Sequence, residues 1–202
     1  VSGDMPVVTV GERVTGASGI FIDNVAAAAS ATRHLVELGH RRIGLMTGAN
    51  SERHESPVPL LRRQGYVQVL REEAIAVDPL LEVDGDFSIG GGVAAMAWLL
   101  DSADPPTAVF ALSDEMGLGV LHELGRRRLQ AGVDVSVIGF DDHAAARVVG
   151  LTTMAQPMAD MGRNAVREVL RRAAAPECQP VDREVEATLV VRSSTGPPAG
   201  AV

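Results

Sequence analysis

The sequence predicts an α/β fold, a parallel sheet flanked by helices, and two observations carry the prediction. Strand-like apolar runs and helical patterns alternate about five times along the chain. The apolar runs are continuous rather than alternating, as in Ile43-Gly-Leu-Met46 and Val135-Ser-Val-Ile-Gly-Phe140. Such strands are covered on both faces.

Taken in order, residues 7–10 and 19–22 read as the first two strands. Asp23 and Asn24 then offer an N-cap, and 26–38 is rich in helix formers until Gly39 stops it. Strand 43–46 follows, then a polar loop over 47–59. A helix over 60–74 puts Leu61, Gly65, Val69 and Leu70 on one face. A short strand at 81–83 leads through Asp86, Phe87 and Ser88 into a helix over 91–100. Residues 107–112 form an apolar strand, Ser113 and Asp114 cap a helix reaching about 129, and 135–140 is the next strand. Residues 161–174 read as an amphipathic helix with its arginines outward, and 188–191 as a last strand. The tail 196–202, Gly-Pro-Pro-Ala-Gly-Ala-Val, is expected to be disordered.

Composition removes several function classes. With 202 residues the chain is long enough to bury a substantial core. No apolar run approaches the roughly 20 residues of a membrane helix, and the opening VSGDMPVVTV lacks the pattern of a secretory signal. The net charge is -8, and cations cluster only at Arg126-Arg-Arg128, which disfavours non-specific nucleic-acid binding by this chain. All 18 basic residues are Arg, so a phosphate loop ending in Gly-Lys-Ser is impossible. The single Cys178 excludes an internal disulfide, fits a reducing compartment and reads as a loop thiol without function. His34, His40, His54, His122 and His143 have no short metal-ligand spacing and no Cys pair to join, so neither a metal nor a cofactor is expected. No Gly-x-Ser-x-Gly elbow or nucleophile–base pair is visible, so no catalytic residue is assigned and an enzyme is not expected. Gly90-Gly-Gly92 lacks the context and spacing of a dinucleotide fingerprint.

In an open parallel sheet, ligands sit outside the carboxyl ends of the strands. That directs attention to Thr47-Gly48, Asp86-Phe87, Ser113-Asp114 and Asp141-Asp142. Carboxylates accept hydrogen bonds from hydroxyls, and an aromatic face covers the C–H surface of a sugar ring. The set suits a neutral polyol better than a phosphate or a dinucleotide. Structural roles compete for the same residues. Asp114 reads first as a helix N-cap, and Phe87 also fits a core position. One of Asp141 and Asp142 is expected in a turn or cap, and Arg62 and Arg63 read as solvated helix arginines.

Set in order, the segments around these positions form a more specific pattern. They are His34-Leu-Val-Glu-Leu-Gly-His-Arg-Arg-Ile-Gly-Leu-Met-Thr-Gly48, Arg62-Arg-Gln-Gly-Tyr66, Gly85-Asp-Phe-Ser88, Pro106-Thr-Ala-Val-Phe-Ala111 and Ser113-Asp-Glu-Met116. Val135 to Asp142, Leu151-Thr-Thr153, Gln156-Pro157 and Leu189-Val-Val-Arg-Ser-Ser-Thr195 complete it. In this order, from about Pro6 to Thr195, they resemble the effector-binding portion of the LacI/GalR family of transcriptional regulators. The resemblance implies a fold of the periplasmic-binding-protein-like type I. It further implies a nearly complete second subdomain (23–156 and 179–195) with remnants of the first (1–22 and 157–178). A full regulator of this kind would begin with a helix-turn-helix headpiece, a hinge and most of the first subdomain, so the chain is expected to be truncated at its N-terminus.

By the same resemblance, four residues bind the effector. Arg62 would donate its guanidinium fork to hydroxyls or a carboxylate, and Asp141 would accept from hydroxyls. Ser113 would supply a polar contact and Phe87 an aromatic wall. Ser113 departs from the Asn of some sugar-binding relatives. The implied protein is a cytoplasmic, dimeric, non-enzymatic repressor that senses a small sugar-like effector between its subdomains. It would reach operator DNA only through the headpiece. A sugar-binding protein of an ABC-type uptake system is the alternative. Two further expectations concern neighbouring residues: Asp142 should cap backbone N–H groups of the next segment, and the helix around 161–170 should expose apolar surface.

Overall fold

The computed structural model describes residues 5–48 and 56–200, so most of the polar loop expected over 47–59 lies outside the described residues. The chain divides into two compact units, residues 1–23 with 156–187, and residues 24–155 with 188–202. The first unit holds a parallel sheet of three strands, β1 (Val8–Val10), β2 (Ser18–Phe21) and β8 (Asp182–Glu184), ordered β1-β2-β8. Helix α6 (Met158–Ala174) packs on β1 and β2. The second unit holds a six-stranded sheet ordered β4-β3-β5-β6-β7-β9. Its strands are β3 (Ile43–Thr47), β4 (Glu82–Asp84), β5 (Ala108–Ala111), β6 (Ser136–Asp141), β7 (Thr152–Ala155) and β9 (Thr188–Val190). All pairings are parallel except β7 with β9. Its helices are α1 (Asn24–Glu37), α2 (Val58–Glu72), α3 (Ile89–Leu100), α4 (Asp114–Arg126) and the short α5 (Ala144–Val148).

The continuous apolar runs behave as expected. Every residue of β5 is buried, as is β6 up to Phe140, because helices cover both faces of the sheet. Three elements carry weak signals in the sequence. Strand β7 is Thr-Thr-Met-Ala, α5 has only five residues, and β8 is Asp-Arg-Glu with every residue exposed. Strand β8 is held by pairing with β2 rather than by burial. It also moves the boundary between the units, since 179–187 belongs with the first unit and not, as expected, with the second. On α6, Val166 and Leu170 are exposed, in line with the apolar surface expected there.

The segment Arg62-Arg-Gln-Gly-Tyr66 shows how one helical turn builds the second unit. Tyr66 is buried and donates its hydroxyl proton to the Ile43 carbonyl at 2.8 Å, seating α2 on β3. Gly65 lies against α1. A Cβ there would come 2.2 Å from the Val25 carbonyl oxygen and 2.8 Å from the Ala29 nitrogen, both backbone atoms. The glycine run after β4 has a similar role, because a Cβ on Gly92 would come 2.4 Å from the Met116 carbonyl oxygen of α4. It is a packing device and not a phosphate cradle.

The tail is ordered further than expected. Gly196 donates its N–H to Ser136 Oγ at 2.9 Å, and its carbonyl accepts from the buried His40 Nε2 at 2.9 Å. A carbonyl can only accept, so Nε2 holds the ring proton, and Nδ1 faces Thr107 Oγ1 at 2.9 Å. Burial pushes His40 below its ordinary value, and the same cause acts on His34.

Two outcomes follow. Gly65→Ala forces α1 and α2 apart through backbone atoms that cannot rotate away, and should cost about 1–3 kcal/mol, read as a lowered Tm. The second concerns pH. Burial disfavours the protonated form of both imidazoles in the fold, while the unfolded chain protonates near 6.5. Their stability contribution is therefore complete above that value and lost as pH falls below it. Melting curves between pH 7.5 and 5 should fall, and His40→Gln should flatten the slope. An identical slope in that variant would refute the assignment.

Candidate functional site

Because β3, β4, β5 and β6 are mutually parallel, their carboxyl ends share one rim of the six-stranded sheet. Phe87 follows β4, and a Cβ on Gly48, just after β3, would sit 2.1 Å from its ring. The half-buried Phe87 ring therefore lies directly over the Gly48 backbone. It is held by a turn in which Asp86 and Phe87 both adopt left-handed φ, 49° and 48°.

Arg62 reaches this rim from α2. Its side chain is 7% exposed, so it is not the solvated helix arginine that base rates suggest. Its Nε donates to Asn24 Oδ1 at 2.9 Å and its Nη1 to the Leu112 carbonyl at 2.6 Å. The guanidinium carbon stands 3.5 Å from the centroid of the Phe140 ring, a cation–π contact. Burial lowers the guanidinium to about 10, with Asp141 acting in the opposite sense, and it remains a cation at neutral pH. Arg62 Nη2 lies 4.0 Å from Asp141 Oδ1. Arg63, one residue on, is the surface arginine, paired with Glu82 at 2.6 and 2.8 Å.

Asp141 ends β6 with φ 117°, and its side chain is 18% exposed. Of the four expected effector residues, the structure brings Arg62 and Asp141 together and places Phe87 farther along the same rim. Ser113 has a different immediate duty. It is buried, and its Oγ accepts from the Met116 N–H at 3.3 Å as the N-cap of α4.

That corrects the reading of Asp114 as the cap. Asp114 is fully buried and accepts from Thr153 Oγ1 at 2.7 Å and from the His143 N–H at 2.7 Å. It is a strut from α4 to the loop after β6, and burial raises its carboxyl above the ordinary value, partly opposed by those two bonds. The strut requires Gly139, where a Cβ would meet Asp114 Oδ1 at 2.3 Å. Asp142 is likewise not the backbone cap expected of it. It pairs with Arg192 at 2.5 Å and, more loosely, with Arg147 at 3.8 Å.

The loop also places His143 beside Asp141 and Glu115, whose ligand-type atoms all lie within 4.8 Å of one another. A search for short His and Cys spacings misses this group, because Glu115 comes from a different element. Arg126 and Arg127, part of the one basic run, are both paired with the buried Glu123 at 2.7 and 2.8 Å.

Substitutions should separate the two acids next to Asp141. Asp114→Ala leaves a buried hydroxyl and a backbone N–H without their acceptor and should cost about 2–3 kcal/mol. Asp142→Asn keeps an acceptor for Arg192 and should cost about 1 kcal/mol. Chemical denaturation of both variants checks the order, and a larger loss at Asp142 would reverse it.

A family profile described as a periplasmic binding protein-like domain matches residues 32–195. The HTH-type transcriptional repressor CytR of Escherichia coli is 40% identical over 178 residues, 87% of this chain and 51% of that protein. The chain thus spans about half the length of the curated relatives it matches. Among solved structures, a LacI-family regulator from Sanguibacter keddieii superposes with a TM-score of 0.86 at 36% identity, covering 95% of this chain and 74% of that one. The regulator CelR in complex with cellobiose superposes with a TM-score of 0.83 at 35% identity, covering 93% of this chain and 58% of the other. These relatives are transcriptional regulators rather than enzymes. The rim of buried arginine, aspartate and aromatic ring thus stands in a periplasmic-binding-protein-like domain, and the chain belongs to the LacI family of transcriptional regulators.

Proposed function

We propose that the chain is the effector-sensing portion of a transcriptional repressor and binds a small neutral sugar or sugar derivative at the rim of the six-stranded sheet. The observation that carries the reading is the pairing of the buried, immobilised Arg62 with Asp141, with the Phe87 ring on the same rim. A fixed cationic donor and an ionised acceptor together match the alternating donor and acceptor character of adjacent hydroxyls. The ring offers an apolar face to C–H surface. CelR is recorded with cellobiose, which supports a saccharide for this chain.

Arg62 and Asp141 are the primary ligands in this reading, and Phe87 is the wall. Ser113 contributes through its position at the start of α4, where its hydroxyl also serves the helix. The mechanism is a shift of population. An effector with different affinities for two states of the regulator biases them, and operator affinity changes by the same coupling free energy. Operator DNA is reached through a separate DNA-binding segment, as a cytoplasmic homodimer. A net charge of -8 is not that of a DNA-binding surface. Among the described residues no helix is long and apolar enough to cross a membrane. An uptake-system binding protein is less favoured, because the relatives named above are regulators.

Calorimetric titration with a panel of pentoses, hexoses and disaccharides including cellobiose should find a ligand that saturates one site. A charge-assisted hydrogen bond contributes about 1.5–3 kcal/mol, so Asp141→Asn should weaken that ligand by about tenfold or more at 1.4 kcal/mol per decade. Its melting curve should change little. A panel without any binder, or an Asp141→Asn variant with undiminished affinity, would remove the reading.

A further inference from the structure

We infer that Glu115, Asp141 and His143 form a binding site for a divalent first-row transition-metal ion, of which Zn2+ is the natural probe. One imidazole nitrogen and two carboxylates supply three donors, all within 4.8 Å of one another. Borderline cations such as Zn2+ accept that mixture, whereas Ca2+ and Mg2+ prefer oxygen alone. Three protein donors leave the remaining positions to water or to a ligand hydroxyl, as in open zinc sites.

The donors stand on a braced scaffold. Glu115 lies in the first turn of α4, Asp141 ends β6, and His143 is the residue just before α5. The buried Asp114, adjacent to Glu115 in sequence, accepts from the His143 N–H at 2.7 Å and from Thr153 Oγ1 at 2.7 Å. The start of α4 and the His143 loop are thus tied together beneath the three donors. Metal–oxygen and metal–nitrogen bonds of about 2.0–2.2 Å require the donors to draw together somewhat. His143 and Glu115 can do so, with side chains 48% and 37% exposed and Nδ1 already 3.1 Å from Oε1. Arg62 Nη2 stands 4.0 Å from Asp141 Oδ1 and opposes a second cation there. A carboxylate has two oxygens and about four lone-pair directions, so the ion and the guanidinium share Asp141 rather than exclude each other.

The test needs no sugar, so it succeeds or fails independently of the effector reading. Chelator-stripped, tag-free protein is titrated with Zn2+ by calorimetry, beside His143→Ala, Glu115→Gln and the control His122→Ala. One site is expected in the wild type and in His122→Ala, weakened at least about tenfold by either ligand substitution, since even outer partners of a metal site are worth that much. In wild-type protein, Co2+ should broaden the ring resonances of His143 and leave those of His122 sharp, which answers without any substitution. Wild-type protein that binds no Zn2+, or His143→Ala titrating unchanged, or Co2+ sparing the His143 ring, would overturn the inference.

Discussion

The second unit depends on how one buried guanidinium is satisfied. A cation removed from water is tolerated only where its donors meet acceptors and its charge meets a compensating field. Arg62 finds these on three different elements: Asn24 at the start of α1, the Leu112 carbonyl just after β5, and the Phe140 ring in β6. Withdrawing any one of them leaves a desolvated charge, so the positions of α1, α2, β5 and β6 at the sheet rim are set together. The fork geometry matters here. Lysine presents a point charge and could not address a side-chain amide, a backbone carbonyl and a ring face from one plane.

Asp141 enters this arrangement at 4.0 Å, a Coulombic neighbour of the guanidinium and too distant for a hydrogen bond. Its backbone, at φ 117°, lies outside the region that non-glycine residues favour, and Asp142 follows at 58°. Such conformations cost about 1–3 kcal/mol each and persist where surroundings fix them. The fixing group is Asp114, which binds the backbone N–H at the end of the turn and the Thr153 hydroxyl of the adjacent strand. Two consecutive acids after an apolar strand therefore have separate explanations. Asp142 is neutralised by Arg192, while Asp141 is aimed along the rim that carries Arg62 and Phe87.

Much of the fold was legible in the sequence because burial on both faces writes itself as unbroken apolar runs, as in 43–46, 108–111 and 136–140. Strand β8 was not legible, since Asp-Arg-Glu owes its conformation to its neighbour β2 and not to its own side chains. For the candidate site, the sequence pointed to positions that share one rim but not to the contacts each side chain makes there. The rule that ligands gather at carboxyl strand ends pointed to Arg62's neighbours, to Phe87, Ser113 and Asp141. It could not divide Ser113 from Asp114, because either residue type caps a helix. Gly139 decided between them, its missing side chain making room for the carboxylate of Asp114, 25 residues earlier in the chain. Likewise Glu115, 26 residues before Asp141 in the chain, joins His143 only through that strut.

The rim presents a cationic donor and a carboxylate acceptor that are both held in place. Among the described residues, none of its acids is set beside a nucleophile with a second group to orient it, as general acid–base and nucleophilic catalysis require. What the geometry supplies instead is rigidity. Arg62 is held by two hydrogen bonds and a ring, and Asp141 by a turn whose backbone is braced from behind. Groups already fixed lose little freedom when a ligand arrives, so a larger share of each contact appears as affinity. The same rigidity links the rim to the helices behind it. A ligand that drew Arg62 toward itself would pull against Asn24 at the first turn of α1 and the Leu112 carbonyl just after β5, and so would transmit strain into both elements.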